Sequence, residues 1–259
     1  MSVVSRITIF PMKSFDGLSR DEAEVLPSGA LRHDRQFALA DSTGKFINAK
    51  RTALIHQVHL LIDPEQREFT ASRREGGPEL RGQLDAEGRQ LSDWLSQFFS
   101  LDVSIIENDK VGFPDDLEAP GPTVVSVATL ETVAGWFPGL TVDNIRQRFR
   151  ANVEIDGVEP FWEDRLFRED KQPQPFRIGN VDFAGTNPCR RCVVPTRDPL
   201  TGLITPDAFA KQFQRYREAT LPPWSPRSRF DHFYRLTTNT CRIGHEKGLI
   251  HVGDAVEIR

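Results

Sequence analysis

Cysteine is scarce in this chain: there are three in 259 residues. So low and odd a count cannot build the disulfide framework of a small secreted domain, and a reducing compartment is expected. Long apolar runs are missing too, since none approaches the ~20 residues needed to cross a bilayer. The opening MSVVSRITIF has neither the apolar stretch nor the cleavage site of a secretory leader. No G-x-G-x-x-G follows a strand-like run and no Walker-type loop is present, which leaves nucleotide cofactors without support. Flavin, haem and iron–sulfur signatures are likewise absent, as are internal repeats and low-complexity tracts. There is no large excess of either charge: 33 basic against 37 acidic residues give −4. That balance argues against nucleic acid or an anionic membrane as the main partner, while leaving a local basic site open. A cytoplasmic protein with a sizeable buried core is expected.

What is present is mostly short strands. RITIFP is β-rich and stopped by Pro11. RQFALAD and KFINAK alternate across DSTG, a hairpin turn with Gly44. IHQVHLLID and REFTAS flank PEQ as a second hairpin. The period then changes: Leu91, Trp94, Leu95, Phe98 and Phe99 share one face of an amphipathic helix. LDVSIIE returns to strand, and residues 108–122, rich in Gly, Pro and acid, form a linker or surface loop. TVVSVATLETVAGWF reads as strand then helix. TVDNIRQRFRANVEIDG reads as a loop, a basic turn, and a strand entering at Ala151. FRIGNVDFAG is a hairpin centred on Gly179 and Asn180. Thr205 and Pro206 suit the N-cap and first position of a helix carrying Phe209, Phe213 and Tyr216 on one face. HFYRLTT and AVEIR close the chain as strands. Many short strands with few helices suggest barrels rather than a doubly wound sheet.

The densest chemistry lies in NPCRRCVVPTRDPLTG, where Cys189 and Cys192 stand three residues apart. A structural zinc site needs four ligands, and Cys241 with His245 is a poor match for the missing pair. A redox pair normally opens a helix after a strand, but Val193, Val194 and Pro195 follow here. Two unreactive loop cysteines are a third possibility. The fourth is one working thiolate: Arg190, Arg191 and Arg197 favour the charged sulfur, which suits a soft metal such as molybdenum or copper. Spacing alone does not choose between Cys189 and Cys192.

Positive islands recur at strand ends. PMKS offers Lys13 and Ser14, RHDRQF offers Arg32 and Arg35, and RQRFRAN offers Arg146, Arg148, Arg150 and Asn152. Arginine forks and lysine point charges bind phosphate, and an asparagine amide pairs with a heterocycle edge. Solvated surface charge is the expected role of Arg32 and Arg146. For Lys13, Arg35 and Arg150 the surface and binding roles stand level. Glu159, Glu163 and Asp164 are expected in a loop salt-bridge group with Arg165 or Arg168. His56 and His59 are expected to be structural, because odd spacing along a strand separates their faces.

Taken in order, IFPMKS, LRHDRQFAL, RFRANVEIDG with PFWED, and CRRCVVPTRDPLTG resemble the MOSC-domain proteins over nearly the whole chain. The likeness is to the two-part class that includes the amidoxime-reducing components and their bacterial relatives. The resemblance implies an α+β, β-rich fold: an N-terminal β-barrel-like domain over 1–115, then a MOSC β-barrel domain over 116–259 with a few peripheral helices. It implies the molybdenum cofactor, with Cys192 as metal ligand and catalytic centre, and Lys13, Ser14, Arg35, Arg150, Asn152, Arg190 and Arg191 as cofactor contacts. Ser126, with Thr129, is a further match to a family serine-rich turn. Where amidoxime-reducing relatives carry an aromatic hydroxyl or an amide, this chain reads FDHFYRL, with Phe233 at that place. The implied activity is reduction of N-hydroxylated compounds, with electrons from a separate donor protein such as a flavin reductase. The alternative is a carrier or binding module, linked to pyridoxal phosphate-dependent sulfur transfer, in which Cys192 bears a persulfide or holds the cofactor.

Overall fold

The computed structural model describes residues 1–85, 89–205 and 208–259. The chain opens with strands β1 (Val3–Ile9), β2 (Leu18–Arg20), β3 (Glu22–Val25), β4 (Phe37–Ala40) and β5 (Phe46–Ile47). A 3₁₀ turn (Ala53–Gln57) leads into β6 (Val58–Asp63), β7 (Glu68–Arg73) and β8 (Leu80–Gln83). Helix α1 (Arg89–Phe99) and strand β9 (Ser104–Glu107) complete the first part. The second contains β10 (Val124–Ser126), α2 (Val127–Gly135), α3 (Val142–Phe149), β11 (Val153–Asp156), β12 (Gln174–Ile178) and β13 (Val181–Arg190). It ends with α4 (Phe209–Ala219), β14 (Arg235–Arg242), β15 (Gly248–His251) and β16 (Val256–Ile258). The fold is the expected β-rich α+β type.

An eight-stranded sheet runs β16-β12-β13-β14-β10-β11-β1-β2. The first two strands of the chain therefore close the sheet built by its second half, with β1 antiparallel to β11. β3 pairs with β15 in the same sense. Two three-stranded sheets, β5-β4-β9 and β6-β7-β8, form the rest of the first part. Each arises from an expected hairpin. At DSTG, Asp41 N donates to Lys45 O at 2.9 Å, and Gly44 takes the left-handed backbone (φ 77°) such a turn requires. In β6, Val58, Leu60 and Ile62 point into the core while His59 and Leu61 face the other way.

One expectation is corrected here. TVDNIRQRF is helix α3, not a loop and basic turn. Thr141 caps it by accepting from Asn144 N at 3.1 Å, and Ile145 and Phe149 bury its inner face. The run of charged residues masked this period. Three strands, β2, β3 and β15, had no clear pattern because each is only three or four residues long. The expected cap at Thr205 is also corrected, because α4 starts at Phe209 with Ala208 in the N-cap position; Pro206 lies outside the described residues.

Candidate functional site

The elements meet around a cavity of about 1100 Å³, large for a small-molecule site. Nine lysine and arginine side chains line it against four aspartates. In a chain of net charge −4, this is a concentrated cationic surface that favours an anionic ligand. Lys13, Ser14, Arg35, Arg150, Asn152, Arg190, Arg191 and Cys192 all line it. Residues 138 or more positions apart in sequence, such as Ser14 and Asn152, are thereby brought to one place.

The cysteine segment is delivered by the end of β13. Gly185 is required there, because a Cβ would sit 1.7 Å from the Leu166 carbonyl oxygen. Irregularities in pairing flank Pro188, which suits a residue with no amide donor. The chain then turns as Arg191 N donates to Tyr234 O at 3.0 Å. Val194 N donates to Cys192 Sγ at 3.5 Å. DPLTG forms a tight turn: Asp198 Oδ1 accepts from Leu200 N at 3.1 Å and Thr201 N at 2.9 Å. A Cβ on left-handed Gly202 would lie 2.5 Å from Ala53 O, so glycine lets this turn press onto the 3₁₀ turn of the first part. Cys189 also lines the cavity. Cys241 and His245 do not, and no group of three or more His, Cys, Asp or Glu side chains suited to a metal occurs among the described residues.

Three predicted residues, Ser14, Arg35 and Arg150, have left-handed backbone, at φ 77°, 52° and 52°. Such strain is retained where surrounding structure fixes it, and it clusters at functional sites. Arg150 is the C-cap residue of α3, with its guanidinium 4.0 Å from the Phe10 ring centre. Its Nη2 is buried and has no hydrogen-bond partner among the described residues. Burial, and then the charge of Arg35, pushes its pKa down to about 10. Arg197 Nε and Nη1 are buried without partners in the same way. Orphaned guanidinium donors on a cationic cavity are the feature an anionic ligand would satisfy.

Other predicted residues serve the frame. Arg191 lines the cavity but turns its guanidinium to the protein. Its donors go to Leu236 O (3.0 and 2.7 Å), Phe149 O (3.1 Å) and Thr237 Oγ1. Asn152 Oδ1 accepts from Thr123 N at 3.2 Å and Oγ1 at 3.1 Å, and from Arg35 Nη1 at 3.4 Å. Its Nδ2 donates to Thr8 O at 3.0 Å. It ties β1 to Thr123, the residue before β10, and contacts Arg35, which also pairs with Asp34. Ser126 is corrected: it does not reach the cavity. Fully buried, its hydroxyl caps α2 by accepting from Thr129 N at 3.1 Å. Arg190 is an exposed rim residue.

Outside the cavity, Arg32 pairs with Glu24 and Arg146 with Glu154. Glu159 pairs with Arg165 at 2.9 Å. Asp164 instead pairs with buried Arg217, and Glu163 accepts from Thr129 Oγ1 at 3.0 Å, so the expected single salt-bridge group is two separate arrangements. Phe233 stacks on Phe230, 5.5 Å centre to centre. Its neighbour Tyr234 is the polar aromatic near the site. Its buried hydroxyl lacks a partner among the described residues, and burial pushes its pKa up, with Arg191 opposing and Cys192 reinforcing.

Among the further cavity residues that sequence reasoning missed are Lys50, His56, His59 and Asp115. His59 Nδ1 is 3.0 Å from Asp16 Oδ2, which also accepts from Leu60 N at 2.9 Å. The alternation of β6 was the available signal for His59. Nothing local marked the others.

A β-rich α+β fold holding a cationic, thiol-bearing cavity defines the class, and comparison with known families agrees. Residues 1–110 match the MOSC N-terminal beta barrel domain and residues 123–257 the MOSC domain. This chain belongs to the MOSC family. It is 24% identical to the mitochondrial amidoxime reducing component 2 of Bos taurus over 84% of this chain and 73% of that protein. It is 23% identical to the mitochondrial amidoxime-reducing component 1 of Danio rerio over 99% of this chain and 84% of that protein. It is also 23% identical to a molybdenum cofactor sulfurase of Caenorhabditis elegans, over 74% of this chain but only 28% of that larger protein. No helix among the described residues is long and apolar enough to cross a membrane.

Proposed function

We propose that this protein is a molybdenum-cofactor-dependent oxidoreductase that reduces N-hydroxylated compounds. The observation that carries the reading is the conjunction of a cavity-lining thiol, Cys192, with the buried, unpartnered Nη2 of Arg150. The residues present fit a bulky group that has a soft metal at one end and a phosphate at the other. Cys192 would hold the metal, with Val194 N supporting the sulfur. Arg150, Arg35 and Lys13 would take the phosphate, and the Ser14 hydroxyl, which already accepts from Ala49 N at 3.2 Å, has a hydrogen to donate. Arg191 and Asn152 would act one step back, holding the Cys192 loop and Arg35. When bound, the cofactor supplies two-electron redox chemistry. The overall change breaks the N–O bond: R–NHOH with two electrons and two protons gives R–NH₂ and water. Electrons would come from a separate donor protein, such as a flavin reductase. A cytoplasmic location belongs to the same proposal and is tested by cell fractionation.

The test is elemental analysis of protein made in a host that synthesises the cofactor, followed by an N-hydroxylated substrate with an artificial donor. One molybdenum per chain and amine formation are expected. Zinc in place of molybdenum would overturn the reading. The sulfurase relatives, and Cys189 beside Cys192 in the cavity, favour one second reading, a sulfur or cofactor carrier. A persulfide on Cys192 by mass spectrometry, with molybdenum bound but no reductase activity, would select it.

A further inference from the structure

Lys13, through which the chain would grip an anionic group, is already engaged by the chain itself. Its Nζ donates to Phe113 O at 2.8 Å and to Asp115 Oδ1 at 2.6 Å. The second oxygen of that carboxylate takes Lys50 Nζ at 2.9 Å. Burial works against the Asp115 charge, but the two ammonium groups outweigh it and hold the carboxyl well below its usual range. Lys50 lies on the cavity wall within electrostatic reach of the Cys192 and Cys189 sulfurs.

Asp115 hangs from a segment with firm ends. On one side Phe113 N donates to Arg35 O at 2.8 Å. Gly112 runs so close to Asp34 that a Cβ there would lie 2.4 Å from its carbonyl oxygen. On the other side Gly121 N donates to Thr240 O at 2.9 Å. Between them Asp116 Oδ2 accepts from Asn239 Nδ2 at 3.1 Å. The Asp115 side chain itself is 60% exposed, so solvent screens its ion pairs and each contributes at most ~1 kcal/mol. Arg150 Nη2, buried and unpartnered among the described residues, belongs to the same cavity.

We infer that Asp115 is a displaceable counter-ion that fits the Lys13–Lys50 pair to one class of ligand, the dianionic phosphate group. A monoanion that replaced the carboxylate would gain no charge. A phosphate near neutral pH brings a charge of about −1.5 to −2 and three acceptor oxygens. It can meet both ammonium groups, with Arg150, which lies within electrostatic reach of Asp115, adding positive charge behind them. The exchange frees Asp115 to swing outward while Gly112 and Gly121 keep the segment attached. This rests on the reading that the cavity takes a phosphate-bearing cofactor, and it names the residue that decides which anions enter.

The experiment uses full-length protein from a host that cannot make the cofactor, with inorganic phosphate as the probe. Asp115→Asn should bind phosphate at least about tenfold more tightly than wild type by calorimetry. It should also bind acetate measurably, which wild type should not. Lys50→Met should weaken phosphate binding in both backgrounds. In wild type, saturating phosphate should speed amide exchange across residues 114–118. Thermal melts confirm that the substituted proteins are folded, and Asp115→Ser repeats the comparison with a smaller side chain. Phosphate binding to Asp115→Asn that is no tighter than wild type, absence of binding to either, or unchanged exchange in the segment each overturns the inference. Its fate is separable from that of the cofactor reading, because that reading falls on missing molybdenum in protein from a competent host, whatever phosphate does.

Discussion

At the scale of single residues, the two cysteines of the cavity differ in what holds them. Cys192 Sγ accepts a backbone amide hydrogen at 3.5 Å. Cys189 Sγ has only the weak contact to Arg190 O at 3.7 Å. Cys192→Ser should therefore abolish molybdenum retention with the melting temperature little changed, and Cys189→Ser should reduce it much less. Mass spectrometry of metal content decides, and equal loss from both would mean a paired site. Glu163 makes a prediction about pH. Burial, and then the neighbouring Asp164 charge, pushes its pKa up to about 7, while a free carboxyl titrates near 4.5. A raised folded pKa means the stability it contributes is full below about pH 4.5 and is lost as pH rises through about 7. Glu163→Gln, which cannot ionise, should gain on wild type by roughly 1–3 kcal/mol between pH 5 and pH 8. Melts across that range test it, and a constant difference would mean Glu163 stays ionised throughout. The residue scale is also where the sequence was most informative. Lys13, Ser14, Arg35, Arg150 and Cys192, which the structure gathers around one cavity, came from the family resemblance, since local charge left the lysine and arginines level between surface and binding roles and spacing did not choose between the two cysteines. Ser126 misled because S-x-x-T reads equally as a helix cap, the role it has. Lys50 and Asp115 were invisible because each draws its meaning from a partner more than sixty residues away.

At the scale of elements, α3 and the cysteine segment form one unit joined by Arg148. Its guanidinium is 3% exposed by residue. It donates to Asn144 Oδ1 at 2.6 Å, Pro195 O at 2.9 Å and Arg197 O at 2.7 Å. The last two carbonyls belong to the turn that follows Cys192, so one side chain sets the distance between the helix that presents Arg150 and the loop that presents the thiol. Arg148→Met should cost about 2–4 kcal/mol, since it strands two inward-facing carbonyls. It should also lower molybdenum content, since the loop that presents the thiol loses its tie to α3. Urea unfolding and metal analysis check the two effects, and an unchanged midpoint would refute the role. Arg148→Lys should recover only part of the loss, because a single ammonium cannot reproduce the fork. The sequence showed this segment as basic and no more. Reading α3 as a turn hid the fact that Arg148 and Arg150, both at the cavity, differ in use: Arg148 donates to Asn144 and the Cys192 loop, while Arg150 keeps an unpartnered donor.

At the scale of the whole molecule, the site exists because the chain's first residues are built into the sheet of its second half. One buried cluster joins Val4, Ile7, Ile9, Val25 and Leu31 to Val124, Val153, Ile155, Phe176 and Phe183. The strands were legible, but their partners were not, since alternation tells which face is buried and not which strand lies alongside. A second cluster, from Met12 to Val103, with Val194 packed against it, backs the cavity through Phe15, Ala49, Ile55 and Val58. Lys13 follows β1 just where the chain passes from the first cluster at Ile9 to the second at Met12. A chain beginning at residue 116 would lose five large apolar side chains from the first cluster, each contributing roughly 1.5–3 kcal/mol. That sum matches the total stability of about 5–15 kcal/mol that a domain has. It would also leave the β11 edge bare where β1 pairs with it through Ile7 and Val153. Such a fragment should show no cooperative melt and should aggregate, while adding back residues 1–31 as a separate peptide should restore a folded spectrum. A sharp unfolding transition from the fragment alone would show that the second half carries its own core, and the cavity would then be a seam between two independent bodies rather than a product of one interlaced sheet.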